Sequence, residues 1–191
     1  SSVDVAITFK VCVNGSWVRL ARSLLEGSSV RVATVAGFPL GASASAAKCF
    51  ETATAIDDGA QEIDVVLNIG RLKQGDDRYV LQELCEIVQA AAGRIVKVIL
   101  ETCLLTDDEK IRACRLVVES GAQFAKTSTG VGSGGATVED VALLRETAGP
   151  DFGVKAAGGI RDAKTALALI GAGATRIGTS AGVAIVRSLD V

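Results

Sequence analysis

Short apolar, β-branched runs alternate along this chain with longer runs whose apolar positions recur at helical spacing. The short runs Val11–Val13, Val30–Ala36, Glu62–Leu67, Ile95–Leu100, Phe124–Lys126, Gly153–Ala156 and Arg176–Gly178 predict strands. Amphipathic runs near 16–25, 43–58, 77–92, 107–119, 138–147 and 162–171 predict helices, and a last helix starts near Ser180. Strand runs of this kind, buried on both faces, imply a parallel sheet covered by helices. "GAQEIDVVLNIG", "GAQFAKTSTG" and "GAGATRIGTSAG" share one phrase, Gly-Ala at a helix end with a strand following at once. The glycine suits the left-handed residue that closes a helix. Seven such βα units are countable, and no linker or shift in composition divides them. One domain over residues 1–191 is expected. A (β/α)₈ TIM barrel with one unit short and an open doubly wound sheet both fit, and both place chemistry at the C-terminal ends of the strands.

Those strand ends carry a short polar set. Asp64 sits inside "EIDVVLN", Glu101 follows "KVIL", Lys126 follows "QFA", Lys155 sits in "FGVKAAGGIR", and Thr179 and Ser180 follow "RIG". A lysine at the mouth of an apolar strand is costly to bury. Alone, it reads most simply as a snorkelling or ion-paired side chain. Two lysines converging on one barrel mouth change that reading. Their mutual repulsion lowers each pKa, so that one amine becomes a nucleophile near neutral pH. A neutral lysine amine forms a Schiff base with a carbonyl carbon, and the iminium accepts the electrons released in aldol cleavage. Asp64 is then a proton shuttle or an ion-pair partner, and Glu101 is expected to orient a lysine. Thr129, two hydroxyl residues beyond Thr127, is expected to line the substrate site.

The glycine-rich turns supply a second half-site. Gly158 and Gly159 follow one strand, and Gly178, Thr179 and Ser180 follow the next. Backbone N–H groups and hydroxyls at the last two strand ends of a barrel are the usual place for a phosphate. A plain N-cap is the simpler reading of Thr179 or Ser180. "GVGSGGAT" does not match the P-loop pattern.

Composition narrows the chemistry further. The 191 residues are 49% hydrophobic and 22% charged, which is globular. With net charge −2 and no basic run, neither a nucleic acid nor an acidic membrane is an expected partner. The five cysteines are odd in number and none is paired as C-x-x-C, so a reducing, cytoplasmic setting is expected. Cys12 and Cys103 lie near strand ends, where a reactive aldehyde could reach them. There is no histidine. That excludes Ser-His-Asp and Cys-His catalysis and His-ligated metal centres, so no metal or cofactor is called for.

The segments "VATVAGFPLG", "GAQEIDVVLNIG", "KVILETCLLTDDEK", "GAQFAKTSTG", "GGATVEDV", "GVKAAGGIRD" and "GATRIGTSAGVAIV" closely resemble deoxyribose-phosphate aldolases, from about Val11 onward. The resemblance implies a (β/α)₈ barrel and a class I aldolase without metal. Such an enzyme reversibly cleaves 2-deoxy-D-ribose 5-phosphate to D-glyceraldehyde 3-phosphate and acetaldehyde. It implies Lys126 of K-T-S-T-G as the Schiff-base lysine, Lys155 as the second lysine and Asp64 as the proton relay. Gly158, Gly159, Gly178, Thr179 and Ser180 match the family's phosphate loops. The family carries a further strand and crossover ahead of "VCVN", which "SSVDVAITFK" is too short to supply. Residues 1–8 are therefore expected to cover part of the resulting gap. Exposed strand edges invite pairing, and a homo-oligomer is expected. A different phosphorylated sugar as substrate, or a catalytically impaired barrel, are the alternatives.

Overall fold

The computed structural model describes residues 8–189. Seven strands form one sheet: β1 (Lys10–Val13), β2 (Arg31–Ala36), β3 (Glu62–Val66), β4 (Ile95–Ile99), β5 (Phe124–Lys126), β6 (Gly153–Ala157) and β7 (Arg176–Gly178). Each pairs in parallel with its chain neighbour, so spatial order equals chain order. A doubly wound sheet needs a point where that order reverses, and this sheet has none. Right-handed crossovers that always step the same way put every helix on one side and curl the sheet around its other face.

Two contacts measure the curl. Lys155 on β6 lies 2.6 Å from Asp64 on β3, and Arg176 on β7 lies 2.5 Å from Glu62 on β3. In a flat sheet three and four strand spacings would separate these strands by about 14 and 19 Å. The eighth strand of a full barrel is not present among the described residues. There, β1 and β7 each keep one unpaired edge. The cover expected from residues 1–8 falls on residues outside those described, except Thr8, which is exposed.

The helices follow the amphipathic runs: α1 (Val18–Leu24), α2 (Ser45–Asp57), α3 (Ile69–Lys73), α4 (Asp77–Ala90), α5 (Asp107–Glu119), α6 (Val138–Ala148), α7 (Ala163–Gly171) and α8 (Gly182–Arg187). A single 3₁₀ turn, Gly15–Trp17, opens the run expected from residue 16. The unexpected element is α3. Its five residues are too few to show a helical period, and Asn68 starts it by accepting from the Arg71 N–H. A full capping box starts α5, with Thr106 and Glu109 each accepting the other's backbone N–H.

The two faces of the sheet differ more than the sequence implied. Val32, Ile63, Val65, Val96, Val98, Ala125 and Val154 point outward. They join Leu84 and Ile87 of α4, Val117 of α5, Leu144 of α6 and Leu169 of α7 in one core. Side chains alternate along a strand, so Glu62, Asp64, Lys97, Lys126 and Lys155 point inward, all buried. The strands are buried on both faces, as expected, but the inner face is charged rather than apolar. Val35, Val66 and Ile99 share the inner face and hide the alternation, although they stand outside the helix-facing core.

A second buried ion pair holds the shell. Lys48 of α2, fully buried, donates to Glu83 of α4 at 2.7 Å and to the Val66 carbonyl at 3.0 Å. Burial lowers the Lys48 pKa and raises that of Glu83, so both shifts favour the neutral forms and desolvation outweighs the attraction. The stem of Lys48 lies against Gly37, where a Cβ would fall 2.8 Å from Cε. Lys48→Met, which strands Glu83, should cost about 3–5 kcal/mol in urea unfolding. Lys48→Met with Glu83→Leu should recover most of that loss.

Candidate active site

Inward side chains of β4, β5 and β6 meet around one carboxylate on β3. Asp64 is fully buried, and its Oδ2 accepts from Lys126 Nζ at 2.8 Å and from Lys155 Nζ at 2.6 Å. Its Oδ1 accepts from Lys97 Nζ at 2.7 Å. Register explains the meeting. Lys126 and Lys155 are direct cross-strand partners on β5 and β6, and Asp64 and Lys97 are partners on β3 and β4. The three residues expected to act together are brought together, and Lys97 joins them.

Burial would raise the Asp64 pKa, but the ammoniums of Lys126, Lys155 and Lys97 outweigh it and hold the carboxyl well below its usual range. Burial is also the main force lowering the Lys126 pKa; Asp64 opposes it, and the Lys155 charge adds a smaller push downward. The expectation that repulsion between two lysines prepares the nucleophile is thus refined. Desolvation leads and repulsion assists.

Lys97 was not anticipated, because it sits inside the apolar run "IVKVIL" rather than at its end. Strict alternation was the available signal, since residues 95, 97 and 99 must share a face. Below it, Glu62 Oε2 lies 2.8 Å from Lys97 and 2.5 Å from Arg176. The Arg176 guanidinium in turn stacks 4.5 Å above the Phe124 ring.

Lys126 and Lys155 lie at the floor of an open cleft of about 610 Å³ at the C-terminal ends of the strands. Thr129, Gly158, Gly159, Gly178, Thr179 and Ser180 all line it, together with Phe38 and Arg161. A Cβ at Gly178 would crowd the site, sitting 3.0 Å from Ala157 Cβ and 3.1 Å from Lys155 Cε. Gly158 packs against Gly135, whose own Cβ would fall 2.4 Å from the Gly158 carbonyl oxygen. Gly159 has φ +78° with open space beside it. Thr179 is engaged on both sides, donating to the Ile160 carbonyl at 2.6 Å and accepting from the Ala181 N–H at 2.9 Å. It ties the β7–α8 turn to the β6–α7 turn. Ser180 is exposed in the cleft.

Glu101 does not orient a lysine, and that expectation is corrected. It is buried in a left-handed backbone conformation at φ +55°. Its carboxylate accepts from the Thr129 hydroxyl and, at 3.3 Å, from the Thr129 N–H. It therefore fixes the loop after β5 rather than the ammonium on it. Of the two cysteines near strand ends, Cys12 is exposed and faces the cleft. Cys103 lines a separate cleft on the other side of Glu101. Among the described residues, no three of His, Cys, Asp and Glu cluster as metal ligands. No helix there is long and apolar enough to cross a membrane.

Known proteins are similar to this chain in sequence and fold. A deoxyribose-phosphate aldolase of Streptococcus equi subsp. zooepidemicus is 59% identical over 177 residues, covering 93% of this chain and 80% of that protein. One from Alkaliphilus oremlandii is 60% identical over 180 residues, covering 94% and 81%. Among solved structures, the aldolase QR15 superposes with a TM-score of 0.90 at 42% identity, covering 95% of this chain and 81% of that one. The tetrameric deoxyribose phosphate aldolase of Aeropyrum pernix does so with 0.86 at 35% identity, covering 94% and 76%. Residues 10–188 match the family described as DeoC/LacD family aldolase, and the chain belongs to that family.

Proposed function

We propose that this chain reversibly cleaves 2-deoxy-D-ribose 5-phosphate to D-glyceraldehyde 3-phosphate and acetaldehyde, with Lys126 as the Schiff-base lysine. One observation carries the assignment: two lysines share a single carboxylate oxygen at the floor of an open cleft. Family membership and curated relatives near 60% identity supply the reaction class and the substrate.

Lys126, once deprotonated, attacks C1 of the open-chain sugar, and loss of water leaves an iminium. A base then removes the C3 hydroxyl proton, the C2–C3 bond breaks, and its electrons move into the iminium to give an enamine. D-glyceraldehyde 3-phosphate departs. Protonation of the enamine and attack by water release acetaldehyde and restore the amine. These proton transfers fall to Asp64 and Lys155, a reading supported by the hydrogen bonds of Asp64 to both lysines.

The phosphate would lie over Gly158, Gly159 and Ser180, with Arg161 at the rim, since all four line the cleft. Gly178 leaves space for Lys155, Thr179 holds the two turns together, and Thr129 contacts the sugar. Assembly as a homo-oligomer belongs to the same proposal, on the precedent of the Aeropyrum pernix tetramer.

Borohydride added with substrate should leave a two-carbon adduct on Lys126, read by peptide mass. An adduct on Lys155 with Lys126 untouched would overturn the assignment. Lys126→Leu should abolish both adduct and turnover while the far-ultraviolet circular dichroism stays unchanged.

The pH dependence follows from the direction of the Lys126 shift. Its amine must be neutral to attack, so kcat/KM should rise with pH through the lowered pKa and level off well below the 10.5 of a free lysine. A rise that continues to that value would contradict the burial argument. Ser180→Asp places a negative charge where the phosphate would sit. KM should rise about tenfold or more with little change in kcat, measured with deoxyribose 5-phosphate.

A further inference from the structure

The inner face of the sheet carries a buried cation that neither forms the Schiff base nor faces substrate. Lys97 is 1% exposed at its side chain and lies beneath Asp64, out of the cleft. Its two partners are Asp64 Oδ1 above, at 2.7 Å, and Glu62 Oε2 below, at 2.8 Å. A buried lysine is expensive even when paired. A core that wanted only packing would hold an aliphatic residue here, as the neighbouring Val96, Val98 and Ile99 do.

Its position has a consequence for the two lysines above. A carboxylate has two oxygens, and two lysines alone could take one each. Each would then form a full ion pair, and the Lys126 proton would be held firmly. Lys97 donates to Oδ1 and so pins the carboxylate with Oδ2 toward Lys126 and Lys155, and both of them donate to that one oxygen. Each then gets part of one acceptor. Lys126 can let go without leaving the oxygen empty, because Lys155 stays. Resting on the assignment of Lys126 above, we propose that Lys97, braced by Glu62, is a positioning residue for the aldolase reaction, holding Asp64 so that both active-site lysines share one of its oxygens.

The charges around this column are few and fixed. Strand β1 contributes Cys12 and, at the lower rim, Lys10; β2 contributes only Arg31, 3.9 Å from Glu62. Strand β3 contributes Glu62 and Asp64, β4 Lys97, β5 Lys126, β6 Lys155 and β7 Arg176. Loss of the Lys97 charge removes a cation and frees Oδ1. Both changes favour the ammonium form of Lys126, so its pKa must rise.

The experiment is the pH profile of kcat/KM for Lys97→Met with deoxyribose 5-phosphate, beside borohydride trapping at each pH. Lys97→Met leaves Glu62 paired with Arg176 and Asp64 paired with two lysines, so no buried charge is abandoned. The acid limb should move up by on the order of one pH unit. Trapping should fall at neutral pH and recover at alkaline pH. Lys97→Arg, which keeps the charge, should restore the wild-type limb. Should Lys97→Met be too unstable to assay, Lys97→Gln removes the same charge and carries the same test. An acid limb that stays in place while the rate falls equally at every pH would overturn the proposal and leave Lys97 a purely structural lysine. Failure of the wild-type protein to trap any adduct on Lys126 would instead refute the assignment beneath it.

Discussion

One buried carboxylate answering three ammonium groups sets the terms for the inner face of this sheet. Asp64 meets Lys126, Lys155 and Lys97 within 2.8 Å, and none of the four is appreciably exposed. Water that would ordinarily stabilise such charges is largely excluded, so each must be satisfied by another. That requirement fixes the neighbours. Glu62 must sit below to hold Lys97, and Arg176 must sit beside Glu62. A column of alternating charge results, running from the lower rim of the curled sheet to the cleft floor.

The column also binds together a wall that hydrogen bonds leave open. Among the described residues β1 and β7 pair on one side only, so nothing in the ladder itself forces them toward each other. Three contacts cross the interior: Lys126 and Lys155 to Asp64, and Arg176 to Glu62. Each ties a late strand to β3. The outer face supplies the apolar burial and the inner face supplies the curvature. The same side chains that make the site chemically competent therefore also hold its shape.

Much of this was legible in the chain. Strand and helix periods placed β5 and β7 at their observed limits and α5 at residues 107–119, because Gly-Ala turns and the Thr106 cap punctuate the pattern plainly. Lys126, Lys155 and Asp64 stood out as charges in apolar strands. What stayed hidden was anything set by contacts between distant strands. Lys97 looked like one polar residue within a strand until the register put it beside Asp64. Glu101 looked like a lysine partner by its place after β4. Its left-handed backbone turns the carboxylate toward Thr129, a choice no local pattern encodes. Thr179 looked like a ligand for phosphate, and its hydroxyl is engaged between two turns.

The balance between burial and repulsion gives the strand-end lysine its physical meaning. Repulsion alone would be a fragile way to prepare an amine, because Asp64 sits between the two ammoniums and cancels much of it. Desolvation does not cancel in that way. It acts on Lys126 as long as the strand ends close around it, and the short β5 places Nζ at the cleft floor with only 6% of the side chain exposed. An acceptor left to Lys126 alone would undo this gain. Shared, the acceptor steadies the ammonium enough to be buried but not enough to keep its proton. Nucleophilicity here is a property of the whole inner face, in which three cations compete for one carboxylate.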